Sequence, residues 1–281
     1  MEIIKEPHKL TQKIKELRRR GNTIGFVPTM GFLHDGHISL IKEARKETGV
    51  VVLSIFVNPT QFAPGEDYNR YPRALEWDRK ISEKEEVDII FAPAPEDMYP
   101  EGYSTYVEET HLSRILEGES RPSHFRGVTT VVLKLFNIIQ PDISYFGQKD
   151  WQQAIIVKRM VRDLNIDTEI KILPTIREKD GLALSSRNTY LKGEERNSAT
   201  ILFHSLMEAK RLIEEGEIEP AEVSRRMEEM IQKEKFAKVD YIQIREPETL
   251  ETVEKIKGRV IILLAVWIGK VRLIDNMIIE A

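Results

Sequence analysis

Residues 26–40 read F-V-P-T-M-G-F-L-H-D-G-H-I-S-L. This stretch indicates the architecture of the first half of the chain. Its first residues are apolar and typical of a buried strand, whereas Ile38 and Ile41 begin a repeat at the spacing of one helix face. Pro28 and Gly31 suit a tight turn between the two. The stretch therefore predicts a β-strand that passes directly into an amphipathic helix.

Two histidines, His34 and His37, flank a glycine at this predicted junction. The backbone N–H groups of a first helical turn have no partner within the helix, and they attract anions. Gly36 would let an anion approach the main chain closely. The pattern indicates an anion site with two imidazoles beside it. Two histidines in an ordinary loop are the alternative, and the short motif alone leaves both open.

Short apolar runs alternate with helical patterns through the first two thirds of the chain. The predicted strands cover residues 23–29, 50–57, 87–92, 143–146 and 169–173, and the predicted helices cover 37–48, 74–86, 128–139 and 150–164. This alternation predicts an α/β fold with a mostly parallel sheet and helices on both faces. Because sites in such folds lie at the carboxyl ends of strands, we expect one crevice to collect the side chains that follow strands: His34, Asn58, Gln61, Lys149 and Arg187.

The composition changes after about Asn188. Residues 192–215 and 220–235 predict two charged amphipathic helices, followed by strands at 241–245, 260–267 and 270–279, with a hairpin or bulge at Gly269. We expect a first domain over residues 1–175 and a smaller α+β domain over residues 176–281.

The chain has 281 residues, a formal net charge of -4 and no cysteine. No strongly basic surface argues for a nucleic-acid partner. The lack of cysteine excludes disulfides and thiolate metal sites and fits a reducing cytosol. The first ten residues lack the apolar core of a signal peptide, and no apolar run is long enough to span a membrane. We expect a cytoplasmic protein with no nucleic-acid or membrane partner.

Two polar segments follow predicted strands. F-V-N-P-T-Q-F, residues 56–62, offers the neutral amides of Asn58 and Gln61, which can orient a carboxylate without a salt bridge, or else forms an Asn-Pro turn. Y-F-G-Q-K-D-W-Q-Q, residues 145–153, places Lys149 to meet phosphate oxygens. Its Asp150 and Gln153 also fit a helix-capping pattern, which needs no ligand.

Two further segments carry cations. A-L-S-S-R-N, residues 183–188, can close over a triphosphate or be a plain turn. R-P-S-H-F-R-G-V, residues 121–128, sets Arg121, His124 and Arg126 before a buried helix. We favour a cationic lid over a solvated start of the helix.

In this order, the segments closely resemble the signatures of the pantothenate synthetase family, also called pantoate–β-alanine ligases. The resemblance is carried by V-P-T-M-G-x-L-H-x-G-H, F-V-N-P-T-Q-F, E-D-Y-N-R-Y-P-R, R-P-x-H-F-x-G-V, F-G-Q-K-D-x-Q-Q and L-S-S-R-N, between about residues 23 and 188. It implies a Rossmann-like parallel sheet of the HIGH-motif nucleotidyltransferase type that binds ATP and pantoate, a C-terminal lid domain and a homodimer.

The resemblance also implies an activity. Members of the family condense pantoate with β-alanine and ATP to give pantothenate, AMP and pyrophosphate, through an enzyme-bound pantoyl adenylate. Mg²⁺ accompanies the triphosphate, largely through phosphate oxygens and water, so we expect no dedicated protein cage for the metal.

The family pattern assigns roles residue by residue. Catalysis would fall to His34, His37, Lys149 and Arg187, with His37 as proton donor. The implied ATP site consists of Met30, Gly31, Phe32, Leu33, His34, Asp35, Gly36, His37, Gly147, Gln148, Lys149, Asp150, Ile176, Leu184, Ser185, Ser186 and Arg187. Gln61, Gln153 and Asn58 would bind the small substrates, with pantoate on both glutamines and β-alanine near Gln61.

Two other functions share such a site. A nucleotidylyltransferase would transfer the nucleotide to a phosphate and retain it in the product, so it predicts no amine-dependent release of AMP. A tRNA-charging or RNA-binding relative should carry a basic or anticodon-reading domain, which the acidic balance and modest length argue against.

Overall fold

The computed structural model describes every residue from Met1 to Ala281. Its contacts divide the chain into two compact units, one made of Met1–Gly147 and Gln152–Pro174, the other of Gln148–Trp151 and Thr175–Ala281. The predicted domain limits differ from this division at Thr175 and, more importantly, in the segment Gln148–Trp151. That segment lies within the first domain by sequence and within the second unit by contacts.

The first unit is built on six strands. They are β1 (Glu2–Ile4), β2 (Ile24–Thr29), β3 (Val50–Ile55), β4 (Ile89–Phe91), β5 (Ile143–Gly147) and β6 (Glu169–Leu173). The helices are α1 (Pro7–Arg19), α2 (Asp35–Glu47), α3 (Leu75–Lys84), α4 (Pro95–Met98), α5 (Glu117–Ser120), α6 (His124–Ile139) and α7 (Trp151–Asp163). No helix of the protein is both long and apolar enough to cross a bilayer.

All six strands run parallel, in the order β1-β4-β3-β2-β5-β6. The order reverses at β2, which pairs with β3 on one side and β5 on the other. Crevices that bind ligands in open α/β sheets lie at the carboxyl ends of the strands beside such a switch point. The segments that follow β2, β3 and β5 therefore begin at the sheet edge where such a crevice forms.

Both faces of the sheet are buried. Successive side chains of a strand point to opposite faces, and Phe26 and Val27 accordingly enter two different apolar clusters. The Phe26 cluster is completed by α1, α6 and α7, whereas the Val27 cluster is completed by α2. The predicted parallel sheet with helices on both faces is confirmed.

The second unit contains a three-stranded antiparallel sheet and three helices. The strands are β7 (Ala237–Arg245), β8 (Arg259–Ile268) and β9 (Val271–Glu280), and the helices are α8 (Glu194–Ser198), α9 (Ile201–Glu214) and α10 (Pro220–Ile231). Gly269, with φ 58, lies in the tight β8–β9 hairpin. The single helix predicted over residues 192–215 is wrong, since the chain forms α8 and α9 there.

Sequence analysis missed β1 and α1 altogether. β1 is a three-residue edge strand, too short to show an alternating pattern. The helix did leave a signal, because Pro7 occupies its first turn and the buried residues Leu10 and Ile14 are four positions apart.

Candidate active site

The two histidines cap the helix that follows β2. His34 is the N-cap residue of α2, and its Nδ1 accepts a hydrogen bond from Gly36 N at 3.2 Å. His37 returns the interaction, since its Nδ1 accepts from His34 N at 3.3 Å. The ring centroids are 4.1 Å apart. Two imidazoles thus form the reciprocal capping box that a Ser or Thr and a Glu usually form.

This capping fixes the tautomer of both rings. A neutral imidazole carries one proton, and a nitrogen that accepts a backbone N–H cannot carry it. Both rings therefore hold their proton on Nε2, the nitrogen away from the capped backbone. The pair presents two N–H donors at the start of a helix, where the helix dipole favours negative charge.

The turn before the pair has an unusual backbone. Gly31 and Phe32 both have positive φ, 85° and 55°, a region that disfavours residues with a Cβ. The carboxylate of Asp78 on α3 holds this conformation by accepting Phe32 N at 3.0 Å and Leu33 N at 2.8 Å. Asp78 is fully buried, and burial raises the pKa of its carboxyl, against the lowering effect of the two amide bonds.

Asn58, the first amide after β3, is 1% exposed and has no hydrogen-bonding capacity left. Its Nδ2 donates to Gln61 Oε1 at 3.1 Å and to Gly127 O at 3.0 Å. Its Oδ1 accepts from Tyr99 Oη at 2.8 Å and from the hydroxyl and amide of Thr60. Burial raises the pKa of Tyr99 to about 12, so that hydroxyl remains a donor. That Asn58 binds substrate stays a prediction; in the structure its amide contacts and orients Gln61.

Gln61 connects the segment after β3 to the turn after β2. Its Oε1 accepts from Asn58, and its Nε2 donates to Met30 Sδ at 3.2 Å. A thioether is a weak acceptor, so the amide can exchange this contact for a stronger one with a carboxylate. Gln61 is the neutral amide that this part of the site offers to a ligand.

His124 supports Gln61 from α6. Its Nδ1 lies 2.9 Å from Gln61 O, which can only accept, so Nδ1 carries the proton. Arg121 Nη1 lies 3.2 Å from the other ring nitrogen. Burial, together with the Arg121 charge, lowers the pKa of His124 to about 4. The ring is therefore neutral at physiological pH.

The predicted cationic lid at Arg121, His124 and Arg126 is wrong. Besides the neutral His124, Arg121 forms a two-pronged ion pair with Glu66, at 2.8 and 2.6 Å. Partial burial raises the pKa of Glu66, but the bonds and charge of Arg121 outweigh it and leave that pKa below its ordinary value. Arg126 lies over the ring of Tyr106. These side chains brace the Gln61 segment instead of forming an open cluster of cations.

Gly127 lets α6 approach this segment. A Cβ at this position would lie 2.4 Å from Thr60 O and 2.6 Å from Gln61 N, closer than atoms can pack. The backbone contact between α6 and residues 60–61 therefore requires glycine.

Lys149 and Asp150 follow β5 and belong to the second unit. Lys149 Nζ lies 3.4 Å from Asp150 Oδ1, in a contact that is partly exposed. The carbonyls of Gln148 and Lys149 both accept from the side chain of Asn276 on β9, each at 2.9 Å. Nothing in the sequence around Asn276 signals this role, because the partners are 127 or more residues apart.

The remaining predicted ATP residues lie in a second segment of the second unit. Leu184 N donates to Ile176 O at 3.0 Å, which sets these two residues side by side. Ser185 then caps the short helical turn Ser186–Tyr190 by accepting Arg187 N at 3.3 Å. The predicted crevice takes residues from both units, and its convergence remains a prediction.

Gln152 and Gln153 differ in exposure and in the hydrogen bonds of their side chains. Gln152 is 3% exposed and bonds to the backbone of Leu112, Ile115 and Glu117. Gln153, also in the first turn of α7, is partly exposed, and its side-chain amide makes no hydrogen bond within the protein. Of the two, only Gln153 has hydrogen-bonding groups available for a ligand.

Comparison with known proteins gives consistent matches along the whole chain. A profile of the family described as pantoate-beta-alanine ligase matches residues 2–278. The curated pantothenate synthetase of Caldicellulosiruptor bescii is 52% identical over 281 residues, which covers 100% of both chains.

Two solved structures are similar throughout. Pantothenate synthetase from Thermus thermophilus has a TM-score of 0.94 and 44% identity, covering 99% of each chain. The pantoate-beta-alanine ligase of Francisella tularensis, in complex with beta-gamma ATP and beta-alanine, has a TM-score of 0.82 and 40% identity, covering 99% of this chain and 97% of its own. These proteins have a nucleotidyltransferase-like fold, so that prediction is confirmed.

We expect His124→Asn to remove part of the acid sensitivity of folding. The asparagine amide keeps a donor for Gln61 O but does not titrate. In the native protein the unfolded chain takes up a proton near pH 6.5 and the folded chain only near pH 4, so stability falls across that interval by up to about 3 kcal/mol. Urea unfolding at pH 7, 5.5 and 4.5 measures the difference. The control is His204→Asn, at an exposed histidine, which should leave the pH dependence of stability unchanged. If the free energy of unfolding changes equally with pH in the native protein and both variants, His124 is not a buried neutral histidine.

Asp78→Ala should destabilise the fold by about 2–4 kcal/mol, because two buried amides lose their acceptor. Asp78→Asn should cost less, since its one carbonyl oxygen can still accept a single amide. Urea unfolding followed by circular dichroism gives both values, with the exposed Asp167→Asn as control. Loss of less than about 0.5 kcal/mol for the alanine variant, within the range of ordinary surface changes, would show that the turn does not need this carboxylate.

Proposed function

The chain belongs to the pantoate–beta-alanine ligase family, and on that basis we propose that it joins pantoate to β-alanine in an ATP-dependent reaction that passes through pantoyl adenylate. The products are pantothenate, AMP and pyrophosphate. The observation that supports this chemistry best is the His34–His37 capping box, which holds two imidazoles at the start of a helix with Nε2–H on the side away from the capped backbone.

The reaction consists of two displacements. A pantoate carboxylate oxygen attacks the α-phosphorus of ATP, and the bond from that phosphorus to the bridging oxygen breaks to release pyrophosphate. The neutral amine of β-alanine then attacks the activated carbonyl carbon. The bond to the AMP oxygen breaks, the amine loses a proton, and the amide remains.

Negative charge grows on the phosphate oxygens and on the leaving pyrophosphate in the first step. Donors already in place stabilise such charge, because they need no reorganisation when it appears. We assign this role to the Nε2–H groups of His34 and His37, as hydrogen-bond donors that keep their protons, and to the cations Lys149 and Arg187. The backbone amides of this turn are already engaged: Gly31 N donates to Thr29 Oγ1, and Phe32 N and Leu33 N donate to Asp78.

Gln61 and Gln153 are the proposed pantoate ligands. Both are neutral, so they can orient the substrate without pairing the carboxylate so tightly that it ceases to be a nucleophile. Asn58 acts through Gln61, because its own amide is fully engaged.

Mg²⁺ would be held by the triphosphate and water. No three His, Asp or Glu side chains lie close enough together to hold a metal ion, and octahedral Mg²⁺ commonly keeps phosphate oxygens and waters as ligands. The metal would neutralise phosphate charge, whereas the residues of the chain would bind and orient the substrates. We further propose a homodimer that works in the cytoplasm.

The decisive experiment separates the two steps. Protein, ATP and Mg²⁺ are incubated with labelled pyrophosphate and with pantoate alone, and β-alanine is added afterwards. We expect exchange of pyrophosphate into ATP that requires pantoate, and AMP production that requires β-alanine as well. Exchange of equal rate without pantoate would exclude the assigned substrate. A product that retains the nucleotide would favour a nucleotidylyltransferase.

His37→Asn separates catalysis from helix capping. The asparagine carbonyl can still accept His34 N, but the variant lacks the Nε2–H donor. We expect the exchange rate to fall by about 10²–10³-fold, as for other oxyanion donors, with little change in thermal stability. His37→Ala should lose the same activity and also about 0.5–1 kcal/mol of stability, because it lacks the cap. An asparagine variant with unchanged exchange would reduce His37 to a capping residue.

A further inference from the structure

We propose that Asn276, on the last strand of the chain, is the positioning residue for Lys149: it fixes the main chain of the lysine segment and so sets where the ammonium group can reach. The inference rests on the proposed function, in which Lys149 meets the triphosphate. It concerns a residue 127 positions away from the lysine, in a strand that carries none of the predicted site residues.

The contacts are concentrated on one side chain. Asn276 Nδ2 donates to Gln148 O and to Lys149 O, both at 2.9 Å, and Asn276 Oδ1 accepts from Gln148 Nε2 at 3.3 Å. One amide group therefore holds two consecutive peptide carbonyls and the side chain of Gln148. The orientation of both peptide planes is fixed, and with it the direction in which the lysine side chain leaves the backbone.

Asn276 is itself rigidly held. Its own amide N donates to Asp275 Oδ1 at 2.8 Å. The Asp275 carboxylate is 3% exposed by residue and receives two hydrogen bonds from Arg177, at 2.6 and 2.9 Å. Arg177 Nη2 reaches Asn276 O at 3.3 Å, and its guanidinium lies over the ring of Phe203. This buried network connects the lysine segment to the core of the second unit.

A second anchor lies just after the lysine. Trp151 Nε1 donates to Pro247 O at 2.9 Å, and the indole is 5% exposed. The segment Gln148–Trp151 is thus fastened at both ends to the second unit. Between these ends, Lys149 keeps about 20% of its side chain exposed. The side chain of Lys149 is thus partly exposed, whereas Asn276 and Trp151, which fix its backbone, are buried.

The burial of Asn276 distinguishes an indirect role, through Lys149, from direct contact with a ligand. Asn276 is 2% exposed, and its amide donors are both used by the Gln148 and Lys149 carbonyls. It therefore cannot donate to a ligand without releasing the lysine segment. Lysine has a flexible four-carbon stem, so the region that its ammonium group can reach is set by where the backbone of Lys149 lies. Small misplacements of a catalytic group are costly: about 1 Å can reduce a rate by about 100-fold.

The test compares Asn276→Ala and the near-isosteric Asn276→Asp with Lys149→Ala and the double variants, in the pantoate-dependent exchange assay. We expect each Asn276 variant to lower kcat/KM for ATP by about 10–100-fold. The aspartate should be no better than alanine, since a carboxylate would face two carbonyl oxygens. In the Lys149→Ala background the same changes should cost less than about 3-fold, because the group being positioned is gone.

Leu273→Ala is the matched control, since Leu273 is a buried residue of the same strand that packs into the apolar core. It should lower the melting temperature yet keep kcat/KM, when all proteins are assayed well below their melting temperatures. Asn276 variants that retain full kcat/KM, or that lose as much activity without Lys149 as with it, would overturn the positioning role. A native protein without pantoate-dependent exchange would instead overturn the proposed function.

Discussion

The parallel register of β2 and β3 is the constraint on which the site depends. The two strands pair from Ile24 with Val50 to Thr29 with Ile55, so they end level with each other. The hydroxyl of Thr29 strengthens that end by donating to Ser54 O at 2.7 Å. Because parallel strands leave a sheet at the same edge, the histidine turn and the Asn58–Gln61 segment emerge as neighbours. The Gln61–Met30 contact follows from this register.

The polar residues discussed above fall into two groups: some are buried and fully hydrogen-bonded, and others can still bind a ligand. Asp78, Asn58, Gln152 and Asn276 are buried, and their hydrogen-bonding atoms are engaged with backbone or with other fixed groups. The Gln153 amide and the weakly bonded Nε2 of Gln61 retain the capacity to meet a ligand. Buried polar groups must be satisfied, and at Asn58 the same hydrogen bonds also hold Gln61 in place.

Local sequence patterns predicted most of the fold and part of the candidate site. The strand-to-helix stretch at residues 26–40 and the alternation of strands and helices led to the right architecture, because hydrophobic period is a local property. Asp78 and Asn276 could not be found in this way, since their partners are 45 or more residues away. His124 was noticed for its type but misjudged: only its burial reveals that it is neutral. The hydrogen bonds that Asn58 makes to Gln61, Gly127 and Tyr99 could likewise not be read from the sequence.

The division of the chain at Gln148–Trp151 has an evolutionary and practical consequence. The polypeptide passes from one unit to the other three times, after Gly147, Trp151 and Pro174. Neither unit is a continuous module that recombination could transplant intact. A fragment ending at Pro174 would include Lys149 in its covalent sequence and yet lack Asn276 and Pro247, the groups that hold its segment. The C-terminal third of this chain is therefore structurally inseparable from a lysine segment encoded far upstream.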